Sequence, residues 1–230
     1  MTRQRRSGPT PGGEVRFPGF DVIDQAPKWD PVTTGVVLSR LTLPPPLRFF
    51  TPAEEAAARP LLDRLLAQDD EPRVPVFELI DARLAEGEID GWRYDNMPED
   101  GQAWKQSLAH LDTDAKGYGA GRFADLGAGE QAAVLEAVRT AEHWHGLPAG
   151  RLWELWMRYA CAAFYSHPWA WNEIGFPGPA YPRGYKALGL DHQENWEKRE
   201  VDASDPVPWA ERIEQRRRAH AAHLGSEGRR

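Results

Sequence analysis

The 230-residue chain holds a single cysteine, Cys161, so it can build neither an intramolecular disulfide framework nor a multi-cysteine zinc or iron–sulfur cage. Positive charge is short: 28 Lys and Arg against 35 Asp and Glu leave a net charge of −7. That balance argues against a dedicated nucleic-acid binder, whose phosphate affinity comes mainly from cations. No uninterrupted apolar run approaches the ~18 residues that a membrane-spanning helix needs, so no direct membrane insertion is expected. Strand signals are sparse too. Val36, Val37 and Leu38 form the one β-branched cluster of note, enough for a short strand at most. Gly-x-Ser-x-Gly, His-Glu-x-x-His and Cys-x-x-Cys-His are absent. The glycines Gly117, Gly119 and Gly121 follow no strand, which both Rossmann and P-loop fingerprints require. A self-contained enzyme of a common type is therefore not expected.

What the chain has in excess is tryptophan, 10 residues beside 8 Phe and 3 Met. Trp is large, amphipathic and frequent at interface hot spots. Trp104, Trp153 and Trp156 fall at helical spacing and suit a core, whereas Trp29, Trp169 and Trp171 sit in segments stiffened by Pro and Gly. Basic charge gathers at the ends: Arg3, Arg5, Arg6 and Arg16 near the start, and six Arg between residues 211 and 230.

The organisation read from the sequence is a disordered lead (1–15), an extended arm (16–47), a helical domain (48–205) and a basic C-terminal helix or tail (206–230). In the arm, Arg16-Phe-Pro-Gly-Phe20-Asp and Trp29-Asp30-Pro31 precede the polyproline-like Pro44-Pro45-Pro46. The first firm helix starts at Thr51, where Thr51-Pro52-Ala53-Glu54 supplies an N-cap hydroxyl, a proline at the first helical position and a capping-box glutamate. Pro60 is expected to kink it. Apolar residues three and four apart predict further helices after Pro75, from about Glu99 to Leu111, from about Gly129 to His143, and from Pro148 to Tyr165. The last of these is apolar nearly all round, as a central helix would be. A final, solvated helix is expected beyond Pro208. The fold class is all-α: a compact helical domain with long ordered Pro/Gly-rich loops and an extended N-terminal arm.

Candidate chemistry is thin. His143 and His145 could suggest a metal pair, but residues two apart on a helix do not share a face; capping a helix C-terminus suits them better. Cys161 falls in the apolar helix, where a structural thiol is the default. Glu173, Asp191 and Glu194 could serve acid/base chemistry or anchor Arg183 and Lys186. The densest information lies at 164–185, where His167-Pro168 ends the central helix and Gly and Pro stiffen the loop beyond it. Trp169, Trp171, Phe176, Tyr181 and Tyr185 hang from that backbone. Low ordering cost with a large aromatic payload suits a binding surface; a loop roofing the domain's own core suits the pattern equally.

Phe164-Tyr165-Ser166-His167-Pro168, Asn172-Glu173-Ile174-Gly175 and Gly178-Pro179-Ala180-Tyr181-Pro182-Arg183-Gly184-Tyr185 resemble the signature of the gluconate 2-dehydrogenase subunit 3 family. The likeness extends upstream through Phe49-Phe50-Thr51-Pro52-Ala53-Glu54 and Ile80-Asp81-Ala82-Arg83-Leu84, covering about residues 48–190. The resemblance implies a small, mostly helical, non-catalytic subunit that binds, stabilises and helps mature a large FAD-dependent oxidoreductase of the glucose–methanol–choline type. On that footing the chain carries no catalytic, cofactor or metal residue of its own, FAD belongs to the partner, and the assembly is a hetero-oligomer acting on a sugar or alcohol. The aromatic loop then becomes a partner surface anchored by His167, Trp169, Trp171, Asn172, Phe176, Tyr181, Arg183 and Tyr185, with Phe17, Phe20 and Trp29 as a second strip. Arg5-Arg6 is followed by Ser-Gly-Pro-Thr-Pro-Gly-Gly-Glu, not by the apolar stretch of a twin-arginine leader. The expected address is therefore the cytoplasm. Two alternatives stand beside this reading. One is an independent small enzyme with a pocket around His167, Glu173 and Arg183; the other is a scaffold docking through the basic C-terminal helix.

Overall fold

The computed structural model describes residues 7–187 apart from 43, 45 and 90, together with residues 192–198. The basic segment from 206 onward and Asp191 lie outside the described residues. Among the described residues run seven α-helices: α1 (Pro31–Ser39), α2 (Pro52–Leu66), α3 (Val76–Ala85), α4 (Asp100–Ala115), α5 (Ala128–Thr140), α6 (Ala149–Ser166) and α7 (Pro168–Ile174). A two-residue antiparallel pair, β1 (His143–Trp144) with β2 (Leu147–Pro148), turns the chain from α5 into α6. The protein is all-α, as the periodicity predicts for α2 to α6.

The start of α2 follows its capping box. The Thr51 hydroxyl accepts from the Glu54 N–H at 3.3 Å, and the Glu54 carboxylate accepts from the Thr51 N–H at 2.7 Å. The helix continues through Pro60 to Leu66. At the centre is α6, which touches α2, α3, α4, α5 and α7. Leu152, Leu155, Trp156, Tyr159, Ala160 and Phe164 form its inner face, while Glu154, Ala162 and Tyr165 are exposed. It is central without being wrapped on every side. The main core gathers around the fully buried rings of Trp104 and Trp156. The Trp156 Nε1–H donates to Ser107 Oγ at 3.1 Å, so this indole is sunk without losing its hydrogen bond.

One buried charge ties two of these elements together. Asp81, on the inner face of α3, is 1% exposed. Its Oδ2 accepts the Arg48 N–H at 2.7 Å, and its Oδ1 accepts those of Phe49 and Phe50 at 3.0 and 2.9 Å. The chain is thereby held where Phe50 stacks on Phe77 and meets Trp104 edge-on, just before α2 begins.

The N-terminal region differs from the expectation of a disordered lead and an extended arm. From Ser7 on, the lead is tied down: the Gly8 N–H donates to the Phe20 carbonyl at 2.8 Å and the Gly12 N–H to the Pro72 carbonyl at 2.9 Å. The arm contains a 3-10 turn over Val22–Lys28 and the helix α1, which includes Val36, Val37 and Leu38 in place of a short strand. Asp30 decides this, because its Oδ1 caps the N–H groups of Val32 and Thr33 and Pro31 occupies the first turn. A cap and a pre-set φ outweigh the β-branched preference of the nine residues of the helix.

Candidate partner interface

The segment 164–185 is built on one dipeptide. Pro168 forces His167 out of the helical region (φ −91°, ψ 136°), which ends α6. The same proline opens α7, and His167 Nδ1 accepts the Trp169 N–H at 3.2 Å as its N-cap. A ring nitrogen can accept only when it carries no proton. His167 is 2% exposed, and burial pushes its imidazole down to about 4, against a hydrogen bond with the Arg40 backbone that favours the charged form.

The depressed pKa makes a pH prediction with a definite sign. The folded state binds fewer protons than the unfolded state between pH 6.5 and about 4, so this contribution is complete above pH 6.5 and is lost as pH falls through that window. Between pH 7 and pH 5 the loss comes to about 2 kcal/mol. His167→Asn keeps a capping oxygen without the titration, so its urea-derived stability is expected to fall by that much less than the wild type's over the same interval.

On α7, Trp171 donates its Nε1–H to the Tyr165 carbonyl at 2.6 Å and lies beneath the Arg40 guanidinium. Asn172, 3% exposed, reaches the N-terminal region with both ends of its amide. Its Oδ1 accepts the Val22 N–H at 2.7 Å, and its Nδ2–H donates to the Pro9 carbonyl at 2.9 Å. Gly175 closes the helix at φ 70°, and Gly178 lies three residues on at φ 79°. Aromatic rings rest directly on both. A Cβ on Gly175 would come within 2.7 Å of the Phe17 ring, and one on Gly178 within 2.4 Å of the Trp29 ring. Phe17, Phe20, Val22, Trp29, Val37 and Trp171 thus form a second core, separate from the main one, with Phe176 packed against it.

The eleven residues expected at a partner surface divide accordingly. Phe17, Phe20, Trp29, His167, Trp171 and Asn172 are buried within the chain, and Trp169 and Phe176 are half-buried. Tyr181 and Tyr185 are the two that face outward, 69% and 54% exposed. Arg183 donates Nη1–H to Gln25 Oε1 at 2.9 Å, and its guanidinium lies 4.0 Å from the centre of the Trp196 ring. The aromatic block is chiefly the seat of the chain's own N-terminal segment. What sequence reading missed is Asn172 as the clasp and the two glycines as the floor. The signal available was the match between bare glycines on one side and bulky rings on the other.

The remaining candidates are equally placed by geometry. Glu173 is raised by burial and lines a small cleft of about 230 Å³ with Glu14 and Asp70, which neither His167 nor Arg183 lines. His145 lies in the β1–β2 turn at φ 47°, beyond the end of α5 at Thr140, so it caps no helix. Its Nε2 is 2.7 Å from Asp114 Oδ1, and its ring stacks on His110 with centroids 4.3 Å apart. Burial raises the Cys161 thiol. Among the described residues no group of three or more His, Cys, Asp and Glu is placed to hold a metal ion, and no helix is long and apolar enough to cross a membrane.

Comparison with known families assigns this architecture. The family model of gluconate 2-dehydrogenase subunit 3 matches residues 52–178, from the first residue of α2 to the glycine beneath Trp29. No curated protein and no solved structure gives a match. The family's name denotes one subunit of a multi-subunit dehydrogenase. With more than half of its length matched, the chain belongs to the gluconate 2-dehydrogenase subunit 3 family.

Proposed function

We propose that the chain is a non-catalytic small subunit that binds, stabilises and helps mature a large FAD-dependent oxidoreductase of the glucose–methanol–choline type, acting on a sugar or alcohol. The observation that carries this reading is the family match over residues 52–178. In this reading FAD and the reacting groups belong to the partner, and this chain contributes folded surface. The geometry supports it, because the residues an independent enzyme would need are engaged apart from one another. His167 caps α7, Glu173 lines a cleft with Glu14 and Asp70, and Arg183 binds Gln25 and covers Trp196. A cytoplasmic address for the complex is part of the same proposal.

Co-expression with the flavoprotein tests the proposal. The large subunit is expected to copurify with this chain, and to be more soluble and more fully loaded with FAD than when it is made alone. A flavoprotein that is equally soluble and FAD-replete without this chain, and does not bind it, would overturn the subunit role.

A further inference from the structure

The turn between β1 and β2 carries a pair of stacked imidazoles. Its two residues, His145 and Gly146, both have positive φ, 47° and 82°. Such a turn matches the twist of its flanking strands and favours Asn-Gly, Asp-Gly or Gly-Gly. Histidine is an uncommon choice at the first position, and a non-glycine residue persists in the left-handed region where its surroundings hold it there. Two groups on α4 do so. Asp114 accepts the His145 Nε2–H through Oδ1 and the Trp144 Nε1–H through Oδ2, both at 2.7 Å. One helical turn earlier, the His110 ring lies parallel to that of His145, at 4° with centroids 4.3 Å apart. Trp144 meets His110 edge-on at 5.5 Å and Trp156 of the main core at 5.9 Å. With 8% of its surface exposed, Trp144 closes that edge of the core.

Two imidazoles thus share one carboxylate. A proton on His145 is balanced by Asp114, to which the ring already donates. A further proton on His110 has no carboxylate of its own, and two imidazolium rings stacked at 4.3 Å repel each other. Burial, then the charge on His145, hold the His110 imidazole below its ordinary value of 6.5, while Asp114 pulls the other way. Just below pH 6.5 the docked turn therefore binds fewer protons than a released one. Docking is complete above 6.5 and weakens as the pH falls. Neighbouring charges do not relieve the pair. Asp112 accepts the Phe123 N–H, Arg122 pairs with Asp125, Arg139 of α5 with Glu136 and Arg151 of α6 with Glu154, while Glu142 and His143 are exposed.

We propose that the stacked His110–His145 pair is an acid-sensitive latch: a second proton on the stack releases the β1–β2 turn from α4 and uncovers Trp144. Amide hydrogen exchange on the full-length chain at about pH 7 and pH 5.5, corrected for the intrinsic pH dependence of exchange, tests it. The reporting amides lie in residues 143–149, among them that of Ala149, which donates to the Glu142 carbonyl at 3.1 Å. Release takes up one proton, so the opening constant of the turn is expected to rise about three- to tenfold over that interval. His110→Phe keeps a ring for His145 to lie on and takes up no proton, so its turn is expected to change less than about twofold. Asp114→Asn removes the one counter-charge and is expected to open the turn further at both pH values. Thermal melts verify that each variant is folded. Site-resolved exchange separates the latch from the acid loss at His167, which falls at the start of α7 and is expected to be the same in wild type and His110→Phe. An equal acid response of the turn in wild type and His110→Phe overturns the latch, as does wild-type protection that ignores pH. A turn held more firmly in Asp114→Asn would mean that the carboxylate does not balance the pair, and overturns it too.

Discussion

Replacing Asp81 with alanine is expected to lower the free energy of unfolding by about 3–5 kcal/mol, read as a lower urea midpoint at unchanged slope. The carboxylate is 1% exposed and accepts three successive backbone N–H groups, those of Arg48, Phe49 and Phe50. Alanine leaves those donors facing a void in a region that water reaches poorly, and an unmade buried hydrogen bond costs more than a made one contributes. The damage then spreads, because the three N–H groups position Phe50 between Phe77 and Trp104. Asparagine separates the contributions. Its oxygen can still accept from Phe49 and Phe50, while its amide N–H groups confront the Arg48 N–H. Asp81→Asn is therefore expected to cost about half as much as Asp81→Ala. Equal losses in the two variants would mean that the Oδ1 contacts contribute nothing.

Asn172→Ala is expected to release the N-terminal segment while leaving the main core folded. Both ends of the amide are used, on Val22 and Pro9, and removal strands the buried Val22 N–H and takes the donor from the partly buried Pro9 contact at once. Each such loss is worth about 1–3 kcal/mol, so amide protection over residues 8–29 should fall by roughly 2–4 kcal/mol in hydrogen exchange. Thermolysin should then cut within that segment of the folded protein. The second core is separate from the main one, which makes a local opening the expected response. Asn172→Asp should behave almost as badly, since one oxygen can keep Val22 while the other is set against the Pro9 carbonyl. Unchanged protection in Asn172→Ala would show that the rings of Phe17 and Trp29 hold the segment without the clasp.

How far these features are legible in the sequence depends on the distance over which they act. Helices α2 to α6 are readable because apolar spacing and local caps agree. Helix α1 is not, although Asp30-Pro31 is the same kind of start as Thr51-Pro52. The residues after it, Val32, Thr33, Thr34, Val36 and Val37, favour extended backbone and lack a helical stripe. At His167-Pro168 the pattern announces only half of the structure: the stop for α6 is plain, and the start of α7 is not. Asp81 is visible as part of a recognisable block, but its partners are backbone groups more than thirty residues upstream, and no pattern of side chains announces them. Tryptophans in Pro/Gly-stiffened segments declare a need for a flat partner. Composition alone does not say that for Trp29 the partner is Gly178 of the same chain.

The clasp also sets an order of events during synthesis. Val22 and Asn172 are 150 residues apart, so the earlier segment leaves the ribosome well before its clasp is made. At ordinary elongation rates that interval is roughly 8–30 s. Through it, Phe17, Phe20 and Trp29 hang from a nascent chain whose landing site does not yet exist. The nascent chain thus carries a sticky segment whose exposure is timed by translation itself. Slower elongation lengthens that exposure, and any factor that shelters apolar segments at the tunnel exit would act here before the chain has met its partner.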